Sequence, residues 1–239
     1  MHAKFTPLSA ELYEYLVDAA SPRDPLLDAL AEETERLGAI SMMQVAPEQG
    51  ALLTLLVRIL GARSAVEVGT FTGYSSICIA RGLADGGRLI TCDVSEEWTA
   101  VARRYFASAG LDERIDLRIG PALDTLGALP ESVGFDFGFI DADKTSYRAY
   151  YEEILRRLRP NGIVVIDNVL WMGQVIDPSD RSESTEAIRD LNAFVARDPR
   201  VEAVMLGVSD GMTIARKRDP GARKRDPGAR KRDAGERPG

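Results

Sequence analysis

The sequence predicts an α/β protein: a doubly wound, mostly parallel sheet of seven strands, one of them antiparallel, preceded by N-terminal helices. Three observations predict it. From Ser64 onward, short apolar runs alternate with amphipathic stretches, the rhythm of strand and helix in a layered α/β domain. Before Ser64, apolar residues recur at three- and four-residue spacing, which reads as helix. The last two apolar runs are joined only by residues 207–212, too short for a parallel crossover, so they should pair as a hairpin.

Taken in order, helices are expected over residues 8–19, 25–37 and 47–60. Ser9 and Asp24 are placed to cap, and Pro25 and Pro47 suit a first helical turn. Strands are expected at 65–68, 88–92, 115–119, 135–140, 162–166, 201–206 and 213–215. Helices at 73–83, 96–109, 122–126, 146–158 and 183–197 fall between them.

At 239 residues the chain can bury a full core in one domain. That domain is expected over 1–215, with helices to 63 and the α/β core from 64. A hydrophobic fraction of 45% is ordinary for a globular protein. No apolar run reaches the roughly 18 residues of a membrane span. The start of the chain lacks the apolar stretch of a secretion signal, so no membrane partner and a cytoplasmic location are expected. Cys78 and Cys92 lie in apolar segments and read as packed free thiols. The one histidine is His2, which removes histidine-based triads and histidine metal cages.

Charge divides the chain in two. From Arg216 onward there are ten basic and four acidic residues; before it, twenty basic and thirty-three acidic. An acidic body argues against nucleic acid as substrate. The basic end is a heptapeptide in three copies (215–221, 222–228 and 229–235), the last with Ala234 in place of proline. With no apolar residue larger than alanine, 216–239 is expected to be a disordered tail. Docking on an anionic surface such as RNA or phospholipid is its functional alternative.

Ala65-Val66-Glu67-Val68-Gly69-Thr70-Phe71-Thr72-Gly73-Tyr74-Ser75 reads as a buried strand, a turn with two glycines and a helix start. Gly69 lets a ligand approach the backbone, and the helix start offers unpaired N–H groups. The next strand ends near Asp93, 24 residues after Gly69, where an acid can accept both hydroxyls of a ribose. Together they point to an adenosine-containing ligand. The turn lacks the three-glycine dinucleotide pattern, and Glu67 would repel a pyrophosphate. A sulfonium amino acid is cationic, so S-adenosylmethionine fits better than a nicotinamide dinucleotide.

A second group of polar residues follows two later strands: Asp141, and the pair Asp167-Asn168. If those strands are neighbours, two carboxylates and an amide oxygen converge, a donor set for a hard divalent cation such as Mg²⁺, with Mn²⁺ or Ca²⁺ as variants. Beside them stands Lys144. Between Phe5 and Arg216 the chain has eighteen arginines and this one lysine. Guanidinium stays charged in proteins, whereas a lysine amine can act as a base.

These residues resemble the cation-dependent O-methyltransferases, the family of catechol and caffeoyl-CoA O-methyltransferases, a Rossmann-like class that uses S-adenosylmethionine. The match runs from about Leu8 to Arg216. It is most specific in Glu67-Val68-Gly69 with Thr72-Gly73-Tyr74-Ser75, in Asp141-Ala142-Asp143-Lys144, and in Asp167-Asn168-Val169-Leu170-Trp171. The resemblance implies that Asp141, Asp167 and Asn168 bind the cation. It implies that Val45, Glu67, Gly69, Thr70, Ser75, Asp93, Ala122 and Asp141 line the S-adenosylmethionine site. Lys144, with Asp141, would be catalytic, taking the proton of a vicinal dihydroxy aromatic acceptor. Trp171 would wall a planar small-molecule phenolic substrate under a loop running to Ser182, while Tyr147 is expected to pack on its own helix. A homodimer through the N-terminal helices is also implied. Two rivals remain at this stage. A nicotinamide-dependent oxidoreductase would want a Gly-x-Gly-x-x-Gly turn and a Tyr-x-x-x-Lys or histidine acid, and neither is present. A nucleic-acid-associated methyltransferase or adapter would be recruited through the basic tail.

Overall fold

The computed structural model describes residues 6–20 and 24–221. Three helices come first: α1 (Ala10–Ala20), α2 (Pro25–Glu35) and α3 (Pro47–Leu60). Asp24 caps α2 by accepting from the N–H groups of Leu26 and Leu27, and Ser9 accepts from that of Leu12. Pro47 opens α3 without wasting a donor, and Gly61 closes it in the left-handed conformation, φ 61°.

The sheet uses β1 (Ser64–Val68), β2 (Arg88–Asp93), β3 (Ile115–Ile119), β4 (Phe135–Ile140), β5 (Leu158–Ile166), β6 (Val201–Leu206) and β7 (Met212–Lys217). Their order is β3-β2-β1-β4-β5-β7-β6. The first five are joined in parallel, and β7 runs antiparallel to both β5 and β6. The doubly wound sheet with its terminal hairpin is therefore as expected. Its remaining helices are α4 (Tyr74–Gly82), α5 (Glu96–Ser108), α6 (Ala122–Ala128), α7 (Tyr147–Arg157) and α8 (Glu183–Val195).

Strand periodicity sends alternate residues to opposite faces. Ala65, Leu89, Phe137, Phe139 and Val165 face a core shared with Leu30, Leu53, Ile77 and Phe106, from α2, α3, α4 and α5. Val66, Val68, Ile140, Val164 and Ile166 face a second core with Leu126, Tyr151, Ile154 and Ile188, from α6, α7 and α8. Each fully buried Leu, Ile or Phe contributes about 1.5–3 kcal/mol of transfer free energy, so both faces of the sheet are strongly specified. Cys78 and Cys92 are buried and unpaired with one another, and burial pushes both thiols up to about 12.

Many element ends differ from the sequence reading by one or two residues, and three strand ends differ for an identifiable cause. β2 extends to Asp93, because that residue pairs with Ile119. β5 starts at Leu158 because Leu158 pairs with Phe135; the intervening residues loop out before Ile163 meets Phe137. β7 continues to Lys217, so Arg216 and Lys217 belong to the sheet and not to a disordered tail. Arg216 pairs with Ile163, and the Lys217 ammonium donates to the carbonyls of Leu155 (2.7 Å) and Leu158 (2.6 Å) at the end of α7. Tail residues 222–239, and His2, lie outside the described residues. Among the described residues no helix is long and apolar enough to cross a membrane.

α3 and α4 touch through Gly50. A Cβ added there would stand 2.8 Å from Cys78 Sγ and 2.8 Å from Tyr74 Cε1, both on buried residues. Gly50→Val is expected to push α3 off α4 and cost about 1–3 kcal/mol by overpacking. That corresponds to a Tm lower by roughly 2–12 °C for a domain of this size. A thermal melt checks it, and an unchanged Tm would show that the two helices can separate freely.

Candidate active site

The parallel strands β2, β1, β4 and β5 end side by side. Val68 pairs with both Cys92 and Ile140, and Ile140 pairs with Ile166. The residues just past these tips are Gly69, Asp141 and Asp167, beside Asp93 at the end of β2. Strand order reverses between β1 and β4, the place where a doubly wound sheet opens a crevice for ligands. The condition set by sequence, that the strands before Asp141 and Asp167 be neighbours, is met.

Gly69 is confined by that arrangement. Its φ is 100°, and a Cβ would lie 1.8 Å from the Asp141 carbonyl oxygen. Only glycine lets the turn after β1 pass the turn after β4 this closely. From Gly69 the chain runs through Phe71 (φ 49°) and Gly73 (φ 94°) into α4. The Asp93 carboxylate holds the turn: Oδ2 accepts from the N–H groups of Thr70 (3.0 Å) and Phe71 (2.8 Å), and Oδ1 from that of Ser95 (2.8 Å). Asp93 is thus a clamp as well as a candidate ribose acceptor, while the cap of α5 is Ser95. Trp98 of α5 meets Phe71 edge-to-face, with ring centroids 5.3 Å apart.

Glu67 is fully buried at the tip of β1. Its Oε2 accepts from Ser76 Oγ and from Thr91 Oγ1 (2.6 Å), and Thr91 in turn shares a hydrogen bond with Thr70 Oγ1. Burial pushes its carboxyl up to about 7; the hydroxyl donors pull it back and the Asp141 charge adds to the rise. Oε1 has no hydrogen-bond partner among the described residues. A buried carboxylate oxygen left unpaired is costly unless a ligand supplies the donor. Ser75 is buried in the first turn of α4. Ala122 opens α6 and is buried; two residues before it, Gly120 N–H donates to the Asp93 carbonyl at 2.9 Å. Val45, after the 3₁₀ turn Gly38–Met43, is buried in the first core.

The other cluster centres on Lys144, at the start of a 3₁₀ turn, Lys144–Ser146. Its side chain is 10% exposed. The ammonium donates to Asp141 Oδ1 (3.2 Å), Asn168 Oδ1 (2.6 Å) and the Tyr147 hydroxyl (2.6 Å). It also lies 5.4 Å from the centre of the Trp171 ring. Tyr147 therefore does more than pack on its own helix: it is fully buried and anchors the lysine. Asp167 is 2% exposed, and its carboxyl is pushed up, first by burial and then by the neighbouring Asp141 charge.

Backbone strain gathers here, with Asn168 (φ 56°), Trp171 (φ 50°) and Met172 (φ 50°) all in the left-handed region. The segment Trp171–Ile176 follows from it, and its first residue brings the Trp171 ring beside Lys144. Two side chains that the sequence reading missed hold the cluster. Gln49 Nε2 donates to Asp167 Oδ1 (2.8 Å), and Asp210 accepts from Asn168 Nδ2 (3.2 Å) and from Met172 N–H (2.6 Å). Neither carried a local signal beyond Gln49 standing three residues after the residue that precedes α3, a capping-box position.

Among the described residues no three His, Cys, Asp or Glu side chains group as a metal centre. The candidate cation set is two carboxylates and an amide. Its chemistry fits a hard cation: the oxygens of Asp141 and Asn168 already share one positive charge, and Asp141 and Asp167 repel each other.

Residues 17–218 match the family model described as O-methyltransferase. The chain is 39% identical over 215 residues to catechol O-methyltransferase domain-containing protein 1 of Mus musculus, covering 88% of this chain and 81% of that one. It is 36% identical over 220 residues to caffeoyl-CoA O-methyltransferase 2 of Zea mays, covering 87% and 83%. Among solved structures, the O-methyltransferase from Bacillus cereus in complex with S-adenosylhomocysteine superposes with a TM-score of 0.79 at 37% identity, over 86% of this chain and 96% of that one. The Streptomyces achromogenes O-methyltransferase TomG, in complex with S-adenosylmethionine, superposes at 0.81 with 31% identity, over 87% and 96%. The sheet, the crevice at its switch point and these likenesses lead to one conclusion: the chain belongs to the O-methyltransferase family.

Proposed function

We propose that the chain methylates one hydroxyl of a catechol-type small molecule, with S-adenosylmethionine as donor and a divalent cation held by Asp141, Asp167 and Asn168. One observation carries the reading. The Lys144 ammonium sits on Asp141 and Asn168, at the tips of adjacent strands and next to the Gly69 turn. That juxtaposition supports a base and a cation seat beside the crevice where a donor would lie. The ligands of the Bacillus and Streptomyces enzymes support the donor, and the Mus and Zea relatives support the acceptor class.

S-adenosylmethionine supplies a methyl group on a sulfonium sulfur. Glu67, Gly69, Thr70, Ser75, Asp93, Ala122 and the backbone at Val45 form its site, with Asp141 reaching both ligands. The unpartnered Oε1 of Glu67 is suited to a donor from the cationic amino-acid portion, and Asp93 to ribose hydroxyls. Asp141, Asp167 and Asn168 would hold a divalent cation, which when bound would supply polarisation of the acceptor oxygens and favour the phenolate. In its neutral amine form, with one proton fewer than the ammonium that sits on Asp141 and Asn168, Lys144 takes the acceptor proton at Nζ, held in place by Tyr147 and Asn168. Trp171 gives the planar acceptor a wall, and the cover from Trp171 to Ile176 limits water. Alignment of acceptor oxygen and methyl group then supplies much of the acceleration. The nicotinamide alternative loses its support with the family assignment.

EDTA is expected to abolish methylation of catechols, and added Mg²⁺ or Mn²⁺ to restore it, in an assay reading product mass; chelator-insensitive turnover would contradict the cation. Lys144→Ala should lower kcat by about 10²–10⁴-fold, with S-adenosylhomocysteine affinity held within a few-fold by calorimetry. Wild-type turnover in that variant would remove Lys144 as the base. Deleting 222–239, which leaves β7 whole, should leave catechol methylation unchanged. Loss of activity on deletion would favour recruitment through the basic tail.

A further inference from the structure

Besides Lys144, two buried or half-buried polar side chains touch the candidate cation ligands without belonging to the donor set. Gln49 is 2% exposed on α3, and its amide makes two contacts. Oε1 accepts from Ala46 N–H (2.8 Å), and Nε2 donates to Asp167 Oδ1 (2.8 Å). The amide has no freedom to flip. Ala46 N–H can only donate, so the oxygen must face it and the nitrogen must face the carboxylate. Asn168 N–H adds a second donor to the same Asp167 oxygen at 2.7 Å. Two donors on Oδ1 fix the plane of the carboxylate, and among the described residues none donates to Oδ2. On the other side, Asp210 accepts from Asn168 Nδ2 (3.2 Å), which turns Asn168 Oδ1 toward the cluster, and its second oxygen accepts from Met172 N–H.

We propose that Gln49 and Asp210 are the positioning residues of the cation seat: Gln49 presents one oxygen of Asp167, and Asp210 presents the amide oxygen of Asn168. This rests on the cation reading above. Each residue also ties its ligand to a wall of the crevice. Gln49 links Asp167 to the segment at Val45 and Ala46; Asp210 links Asn168 to the cover that begins at Trp171. Outer partners of this kind set ligand orientation, and losing one costs about 10–100-fold in metal affinity.

Gln49→Met removes the donor while keeping an unbranched chain of similar length. Asp210→Asn keeps the shape but leaves one acceptor oxygen where two donors need one each. Mn²⁺ binding to full-length protein, followed by the spin-resonance signal of free Mn²⁺, is expected to weaken about 10–100-fold in each variant. S-adenosylhomocysteine affinity should stay within about twofold and the melt should remain cooperative. The variants are independent, so an unfolded Gln49→Met leaves the test with Asp210→Asn. Wild-type Mn²⁺ affinity in a folded variant overturns the assignment of that residue. An equal fall in Mn²⁺ and S-adenosylhomocysteine affinity overturns it too, since general loosening would then explain both. Absence of Mn²⁺ binding by the wild-type chain overturns this proposal and the cation reading together.

Discussion

Three acidic side chains crowd the crevice where the parallel strands end, and the rest of the site is organised around their charge. Glu67 and Asp167 are buried, Asp141 is nearly so, and both buried carboxyls are pushed upward by lost solvation and by the charge of Asp141. Such a group is stable only where donors or cations answer it. Here the answers are hydroxyls on Glu67, an amide and a backbone N–H on Asp167, and the Lys144 ammonium on Asp141. A site that concentrates negative charge in this way selects positive ligands, and a sulfonium and a hard metal ion both qualify.

The scaffold around these acids is rigid for identifiable reasons. Gly69 allows two backbone turns to pass in contact, which brings the turn after β1 against Asp141. Asp93 spends three acceptor positions on backbone N–H groups, so the Gly69 turn has its shape before any ligand arrives. The left-handed residues after β5 are held by hydrogen bonds to the β6–β7 hairpin, including Leu170 N–H to the Asp210 carbonyl at 3.0 Å. Preorganisation of this kind lets a ligand bind without ordering the loops that receive it.

Much of the site was legible in the residues themselves. The acids at strand ends, the glycine turn and the lone lysine between Phe5 and Arg216 stood out because each departs from its surroundings, and the structure brings Asp141, Lys144, Asp167 and Asn168 together. Tyr147 packs as expected, inside the second core, but its hydroxyl has a second role at Lys144. It begins α7 with an apolar ring, and nothing local announced that its hydroxyl would reach Lys144. The end of the sheet was placed too early for a related reason: Arg216 and Lys217 look like the start of a basic repeat, and only their pairing with β5 and β6 shows them to be strand.

The sequence by itself determined the types of element and their succession, because apolar periodicity and capping are properties of neighbours along the chain. It also determined which acids stand at strand tips. Tertiary structure alone decided which tips lie side by side, and which distant side chains would steady them. Gln49 meets Asp167 across 118 positions and Asp210 meets Asn168 across 42. Contacts of that range depend on the order of strands in the sheet, and a polar residue destined for such a contact has no spacing or composition that marks it in advance.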